Sequence, residues 1–145
     1  MTQELIDAFW ESVPSVWRGT RTRIRAVAAE RFGLTVEQFQ ALRRIRKGMD
    51  TVSALAAEGR LSRSQASRAV EALVRRGLVE RLTDARDRRH VRLSLTPSGE
   101  QTLTGIYAEV ETWLAERFAR LSEAEAGLLR QALPLLRKAF TEPTI

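Results

Sequence analysis

Two clusters of hydrogen-bonding side chains in the middle of the chain are suited to contacts with nucleic acid. The first cluster combines short hydroxyl side chains with an amide and two guanidinium groups: Arg63, Ser64, Gln65, Ser67 and Arg68. The second cluster holds three arginines close together: Arg86, Arg88 and Arg89. Arginine and glutamine can bond two atoms of one base edge, and arginine also forms forked contacts with phosphate. The first cluster therefore favours base contacts, and the second favours contacts with the nucleic-acid backbone.

The same inventory of side chains disfavours catalysis. The chain has no cysteine and a single histidine, His90, so a disulfide framework, a thiolate nucleophile and a sulfur-ligated metal are excluded. Paired carboxylates at a recognisable spacing, a phosphate-binding glycine loop and a nucleophile motif are all missing from the sequence. We therefore expect a protein that is not an enzyme and that carries neither a metal nor a cofactor.

Positive charge is concentrated around the two clusters. The formal net charge is +6, and residues 51 to 96 carry ten basic and five acidic side chains, every basic one an arginine. A basic patch of this kind fits a nucleic-acid partner. A solvated, arginine-rich surface would have the same composition, so charge alone leaves both interpretations open.

Length and hydropathy bound the class of protein. A chain of 145 residues is typical of one domain with a core of its own. Its apolar runs are far too short to cross a bilayer, and its start lacks the pattern of a signal peptide. These features predict a cytoplasmic protein.

Helical periodicity predicts the elements that precede the first cluster. Apolar residues recur every three or four positions over residues 3 to 31, which predicts a helix that Pro14 divides and Gly33 ends. Thr35 starts a capping-box pattern for a second helix that runs to about Arg46. Thr51 starts a short third helix, and we expect Gly59 to supply the left-handed residue after its end.

A fourth helix carries the first cluster of side chains. Ser62 and Gln65 form a capping-box pattern, and Gly77 ends the helix. Its apolar positions fall on one stripe: Ala66, Ala69, Val70, Leu73 and Val74. The first cluster lies on the opposite face, at the start of the helix, where side chains can enter a major groove. Any amphipathic surface helix also has a polar face, so this helix alone does not establish DNA binding.

A basic hairpin follows the fourth helix directly. Residues 78 to 83 and 90 to 95 have strand character, and residues 84 to 89 form a polar turn that holds the second cluster. A helix-turn-helix followed by such a hairpin predicts a winged helix, with the fourth helix in the major groove and the hairpin at the flanking backbone or minor groove. The alternative is a flexible loop whose arginines pair with Asp84 and Asp87.

The ordered combination of these motifs resembles the MarR family of bacterial transcription regulators along nearly the whole chain. The matching pieces are Leu34-Thr35, Leu55-Ala56, Ser62 to Val79 with Arg76-Gly77-Leu78-Val79-Glu80-Arg81, Asp84-Ala85-Arg86-Asp87-Arg88-Arg89, and Leu95-Thr96-Pro97-Ser98-Gly99. The resemblance implies a mainly α fold with a small β-hairpin, in which a winged helix-turn-helix lobe of about residues 34 to 96 joins a helical dimerisation layer. It implies one domain over residues 1 to 145, with dimerisation helices at about 3 to 32 and 97 to 141.

The resemblance also implies how such a protein works. Family members are homodimers that present one winged helix to each half of a palindromic operator, and a small aromatic or phenolic ligand often relieves binding. Carried over by position, residues 62 to 68 begin the recognition helix, and Asp87 with Arg89 is the family-typical wing pair. Because the chain lacks cysteine, the peroxide-sensing thiol branch of the family is excluded.

The C-terminal third supports a dimer independently of the resemblance. Thr96 with Pro97 predicts one helix start, and Ser122 with Glu125 predicts another, followed by a helix that Pro134 kinks. These helices are apolar around much of their circumference, which favours completion of the bundle by a second copy. A hairpin that packs only on the first helix of its own chain is the alternative.

The position of a ligand site stays open at this stage. Aromatic residues fall on segments that would border a cleft beside the DNA-binding lobe: Trp10, Trp17, Phe39 and Trp113. An arginine such as Arg18 or Arg21 could meet a carboxylate there. Aromatic residues at helical spacing belong to a core more often than to a pocket, so no pocket residue is assigned.

Three functions are compatible with the sequence. The first is a sequence-specific DNA-binding transcription regulator, most often a repressor, that acts as a homodimer on double-stranded DNA through the two clusters. The second is a winged helix that serves as a protein-interaction or architectural module without a specific operator. The third, a small helical enzyme, has no catalytic motif to support it. The sequence favours the first.

Overall fold

The chain is mainly helical, with one hairpin near its middle. The computed structural model describes residues 1 to 87, 89 to 141 and 143. Within these residues, six helices and two strands follow one another: α1 (Thr2–Phe32), α2 (Val36–Arg46), α3 (Val52–Gly59), α4 (Arg63–Arg75), β1 (Val79–Thr83), β2 (Val91–Leu95), α5 (Pro97–Phe118) and α6 (Glu123–Phe140). The predicted mainly α fold with a small hairpin is confirmed.

Side-chain caps explain where the helices begin. Thr35, Ser62 and Ser122 each form a complete capping box. The hydroxyl of the cap residue accepts the backbone N–H of the residue three positions later, and the side chain of that later residue accepts the backbone N–H of the cap residue. Thr51 and Thr96 each accept one backbone N–H, from Ala54 and Gly99. Each bond satisfies a donor that the first turn leaves unpaired, and the helix starts predicted from these residues are confirmed.

Two predicted breaks are wrong. Pro14 does not divide the first helix, because α1 continues through it for 31 residues. The proline removes one backbone bond, and the turns on either side keep theirs.

Gly59 lies inside α3, and Arg60 takes the left-handed conformation with φ 53°. A Cβ at Gly59 would lie 2.7 Å from Nη1 of Arg44 and 3.3 Å from Cγ of Leu61. The glycine therefore permits close packing, and the next residue turns the chain.

The core of the first compact unit, Met1–Val110, lies under the winged helix. Residues from α2, α4 and the base of the hairpin form its largest part: Phe39, Ala41, Leu42, Ile45, Ala66, Ala69, Val70, Leu73, Leu78, Val79 and Leu93. Residues of α1, α3, α5 and the connection before α2 complete it: Val27, Ala28, Leu34, Leu55, Leu103, Ile106 and Val110. β1 and β2 are antiparallel, with Val79 opposite Leu95 and Thr83 opposite Val91. The core thus supports both α4 and the start of the wing.

The second compact unit begins at Glu111 and contains the end of α5 and all of α6. No residue of α6 is buried within the described chain. Phe118, Leu121, Leu129 and Leu133 line an apolar groove of about 490 Å³ in this unit. No helix in the described part of the chain is both long and apolar enough to span a membrane.

Candidate nucleic-acid interface

Helix α4 separates a buried face from a polar face. Ala66, Ala69, Val70 and Leu73 are buried, so the opposite side of the helix must face outwards. The structure leaves Arg63, Ser64, Gln65 and Arg68 exposed and Ser67 half-buried. We call these five residues the polar face of α4. It presents the first predicted cluster as one continuous surface at the start of the helix.

Gln65 has two competing roles on this face. Its side-chain Oε1 accepts the Ser62 backbone N–H at 2.9 Å, while its own backbone N–H donates to the Ser62 hydroxyl at 3.0 Å. A two-point contact with adenine needs both the oxygen and the NH₂ group of the amide. While the cap is formed, one of the two lone pairs of Oε1 is occupied, so the NH₂ group is the part of Gln65 that stays fully available to a base acceptor such as a guanine or thymine oxygen.

A small cleft adjoins the polar face of α4. It has a volume of about 230 Å³ and is lined by Thr35, Glu37, Gln38, Gln65, Arg68 and Ala69. The first turn of α2 thus lies beside Arg68, which the sequence analysis did not anticipate. Glu37 adds a carboxylate near any DNA held there, so this edge of the surface is less favourable to phosphate than the arginines alone would make it.

The described part of the wing tip, residues 84 to 87, 89 and 90, is organised around Asp87. Its carboxylate accepts Nε of Arg89 at 3.1 Å and the Arg89 backbone N–H at 3.0 Å. These bonds, the side-chain one first, hold the pKa of Asp87 below its ordinary value. His90 Nε2 lies 3.7 Å from the same carboxylate. The pairing expected for a free loop is therefore present between Asp87 and Arg89.

The structure describes two of the three predicted wing arginines, Arg86 and Arg89, and both are exposed. Arg86 is exposed, and its backbone N–H donates to the Asp84 carboxylate at 2.9 Å. The third predicted contact, Arg88, lies outside the described residues. The Arg89 side chain is 91% exposed. An ion pair so exposed is weak, so Arg89 can exchange the carboxylate for a phosphate at small cost.

Asp50 anchors the hairpin to the helical part of the lobe. Its carbonyl accepts the Leu93 backbone N–H at 2.8 Å, and its carboxylate lies 4.0 Å from Nε of Arg92. Sequence reasoning missed Asp50, because it lies between α2 and α3 and belongs to no helical or strand pattern. The backbone bond holds β2, and with it the base of the wing.

The aromatic residues singled out in the sequence have different surroundings. Phe39 is 3% exposed and lies 6.5 Å from the Tyr107 ring, centroid to centroid, so it belongs to the core. Trp10 and Trp17 are exposed on α1. Trp113, in the second unit, carries the Arg117 guanidinium 5.0 Å from its ring centroid.

Acidic and histidine side chains of the described residues do not cluster around a metal position. In the described ranges, no group of three or more such side chains is placed to hold a metal ion.

Comparisons with known proteins agree with this geometry. The sequence profile of the MarR family matches residues 32 to 90. An HTH-type transcriptional regulator of Mycobacterium tuberculosis is 31% identical over 104 residues, which are 71% of this chain and 73% of the relative.

Two solved structures share the fold. Transcriptional regulator Tm0710 of Thermotoga maritima superposes with a TM-score of 0.83 at 21% identity, over 92% of this chain and 94% of that one. A mutant of MepR from Staphylococcus aureus bound to an oligodeoxyribonucleotide gives 0.71 at 18% identity, over 92% and 98%. With its helix-turn-helix, its hairpin and its close relative in sequence, the chain belongs to the MarR family of DNA-binding transcriptional regulators.

Proposed function

We propose that this protein is a sequence-specific regulator that binds a palindromic operator as a homodimer and represses transcription until a small aromatic ligand releases it. In this proposal, the polar face of α4 enters the major groove and the wing tip contacts the flanking DNA. The DNA contacts are Arg63, Ser64, Gln65, Ser67, Arg68, Arg86, Arg88 and Arg89. The protein acts in the cytoplasm and catalyses no reaction.

The single observation that carries the proposal is the division of α4 into two faces. Its apolar side is buried by the core, while its first turns leave two arginines, a glutamine and a serine exposed. A helix whose apolar face is held by the core and whose polar face is exposed to solvent can enter a major groove without a change in the protein fold. The MepR relative of the same fold was solved on an oligodeoxyribonucleotide, which supports the same use of the fold here.

The proposed dimer rests on exposed apolar side chains outside the winged helix. In α1 these include Leu5, Ile6 and Val16, and in α6 they are Leu128, Leu133, Leu135, Leu136 and Phe140. In a lone protomer these side chains would face water on each helix, and exposed apolar surface of this kind marks an interaction site on each of the two compact units. We assign residues 3 to 32 and 97 to 141 to dimerisation and residues 34 to 96 to DNA binding.

The proposed ligand contacts lie on α1. Trp10 and Trp17 are exposed aromatic side chains on a helix that also bears Arg18 and Arg21. Aromatic rings with an arginine nearby suit a small aromatic carboxylate or phenol. Release of bound DNA by benzoate or phenol, with acetate as the control, tests this part of the proposal.

Sequencing the genomic fragments that the purified protein retains tests the function directly. We expect an enriched palindrome whose half-sites lie about one helical turn apart. Affinity for that palindrome should exceed affinity for random duplex by about 10³-fold or more. Equal retention of all fragments would favour the architectural alternative.

The salt dependence of binding tests the wing. Replacing Arg89 by alanine should lower the slope of log affinity against log salt by about two per dimer, because each protomer loses one phosphate contact. Affinity for operator and for random duplex should fall by similar factors. An unchanged slope with full operator affinity would remove Arg89 from the interface.

A further inference from the structure

Arg76 joins the end of α4 to the end of α1. It is the first residue after α4, and its Nη2 donates to the Phe32 carbonyl at 2.7 Å while its Nη1 donates to the Gly33 carbonyl at 3.1 Å. Both carbonyls lie at the C-terminus of α1, where the helix leaves acceptors without a partner of its own. The guanidinium fork matches this pair of acceptors, and the contact spans more than forty residues of sequence.

Helix α5 holds the same two helix ends. At the end of α1, the Phe32 ring packs on Gly105, where a Cβ would lie 2.9 Å from Cζ of the ring. At the end of α4, the Gly77 carbonyl accepts the Thr96 hydroxyl. Arg76 lies between these two contacts, so α1, α4 and α5 meet at one junction.

We propose that Arg76 is a positioning residue that fixes the direction of α4 relative to α1, and thereby the separation of the two polar faces in a dimer. This inference rests on the proposed function, because α1 must belong to the dimer for the separation to matter. Arg76 itself lies at the opposite end of α4 from the polar face. The inference therefore assigns it an effect on DNA recognition without contact with a base.

The length of α4 explains why a distant contact can matter. A helix of 13 residues is about 20 Å long. A rotation of about 10° at the Arg76 end would move the polar face by about 3 Å, which exceeds the tolerance of a hydrogen bond. Contacts with bases would be lost. Contacts with phosphates would largely remain, because flexible arginines make them over a wider range of positions.

Arg75 provides a matched control on the neighbouring position. It is exposed and carries the same charge, and no hydrogen bond or ion pair joins its side chain to a described residue. Replacing Arg75 by alanine removes one positive charge from the same end of α4. Any effect of Arg76→Ala beyond that of Arg75→Ala therefore belongs to the link with α1.

The first measurement compares operator duplexes whose half-site spacing is changed by one or two base pairs. We expect Arg76→Ala to lose about tenfold or more in operator affinity, the scale of one lost base contact, and to discriminate less between spacings. Arg76→Lys, which keeps a donor, should recover part of both. Arg75→Ala should keep the wild-type spacing preference. Equal behaviour of Arg76→Ala and Arg75→Ala would overturn the proposal.

The second measurement needs no DNA. Because the chain lacks cysteine, Glu71→Cys places a single spin label on exposed α4 of each protomer. The distance distribution between the two labels in the dimer should broaden with Arg76→Lys and more with Arg76→Ala, but not with Arg75→Ala. If Arg76→Ala does not fold, the lysine variant still decides, and an unchanged distribution there contradicts the proposal. A wild-type protein without a label-to-label distance would instead contradict the proposed dimer.

Discussion

Helices α4 and α6 begin in the same way, but their apolar faces have different surroundings. Each starts with a serine capping box, closed by Gln65 in α4 and by Glu125 in α6, and each carries an apolar stripe. In α4 the stripe contains four buried residues, whereas α6 has none among the described residues. The amphipathic pattern therefore indicates that a helix has a face to be covered, but it does not indicate what covers it.

The two helices also differ in how far their apolar surface extends. The side of α4 opposite its stripe is polar, so one contact surface satisfies the helix. In α6, Leu128 and Leu135 lie off the stripe and remain 68% and 66% exposed. A helix that is apolar on two sides needs a wider cover than one neighbouring helix provides. This difference supports assigning α4 to DNA and α6 to a second copy of the chain.

The largest effect should come from charging the stripe of α6. Replacing Leu129 and Leu136 together by aspartate places carboxylates at the centre of the proposed dimer contact, so we expect monomeric or unfolded protein that no longer retains DNA. A folded wild-type monomer at micromolar concentration, measured by sedimentation, would contradict the assignment of α6 to a dimer contact.

Truncating the stripe of α4 should have a smaller effect of another kind. Leu73 is fully buried within its own protomer, and Leu73→Ala should cost about 2 to 5 kcal/mol in the free energy of unfolding. Because the lost contacts lie inside one protomer, the dissociation constant of the dimer should not change in the folded protein. Chemical denaturation and sedimentation of the same samples check both statements. A shift in dimer affinity would mean that α4 also contributes to the dimer.

The polar face of α4 provides the next comparison. Arg68→Ala should cost about 1 to 3 kcal/mol in operator binding and relax the preference at one position of each half-site. It should change neither the dimer nor the unfolding midpoint appreciably, because Arg68 is exposed. Titration against operators with single-base changes measures the preference. Uniform weakening at every sequence would mean that Arg68 contacts phosphate and that base recognition lies elsewhere on α4.

Sequence alone could predict the parts of this fold that depend on near neighbours. The capping boxes at Thr35, Ser62 and Ser122 are confirmed, because each requires only residues three positions apart. The prediction at Gly59 failed because the packing of Arg44 and Leu61 decides it. The bonds from Arg76 to the end of α1 have no local signal at all, since their partners lie more than forty residues away.

The candidate site follows the same rule. The polar face of α4 could be predicted, because helical spacing alone places its members on one side. The approach of Glu37 to Arg68 and the support of the wing by Asp50 depend on how separate elements pack. For Gln65 the pattern indicated both a cap and a base contact, and only the geometry shows that its oxygen serves the cap.

The smallest predicted effect separates the two capping boxes by their response to pH. In α6, the Ser122 backbone N–H and then the Ser122 hydroxyl hold the pKa of Glu125 below its ordinary value of 4.5. The unfolded chain therefore binds more protons than the folded chain just below that pH. It follows that the contribution of Glu125 to stability is present above about pH 4.5 and is lost as the pH falls through the lower, folded-state value. Gln65 closes the box of α4 without a titrating group.

Exchanging the two closing residues tests this difference. Between about pH 6 and pH 3, the free energy of unfolding of Glu125→Gln should fall less than that of the wild type, because the amide keeps the cap and has no proton to gain. Gln65→Glu should fall more than the wild type over the same range, since it gives α4 the titrating cap that α6 has naturally. Both changes should be small, because the carboxylates are exposed to solvent. Other carboxylates titrate in the same way in all three proteins. Differences in how steeply the free energy of unfolding falls with decreasing pH therefore come from the caps. If the free energy of unfolding fell equally in the three proteins at acidic pH, neither cap would stabilise its helix through charge. The two helix starts would then be equivalent in energy as well as in geometry.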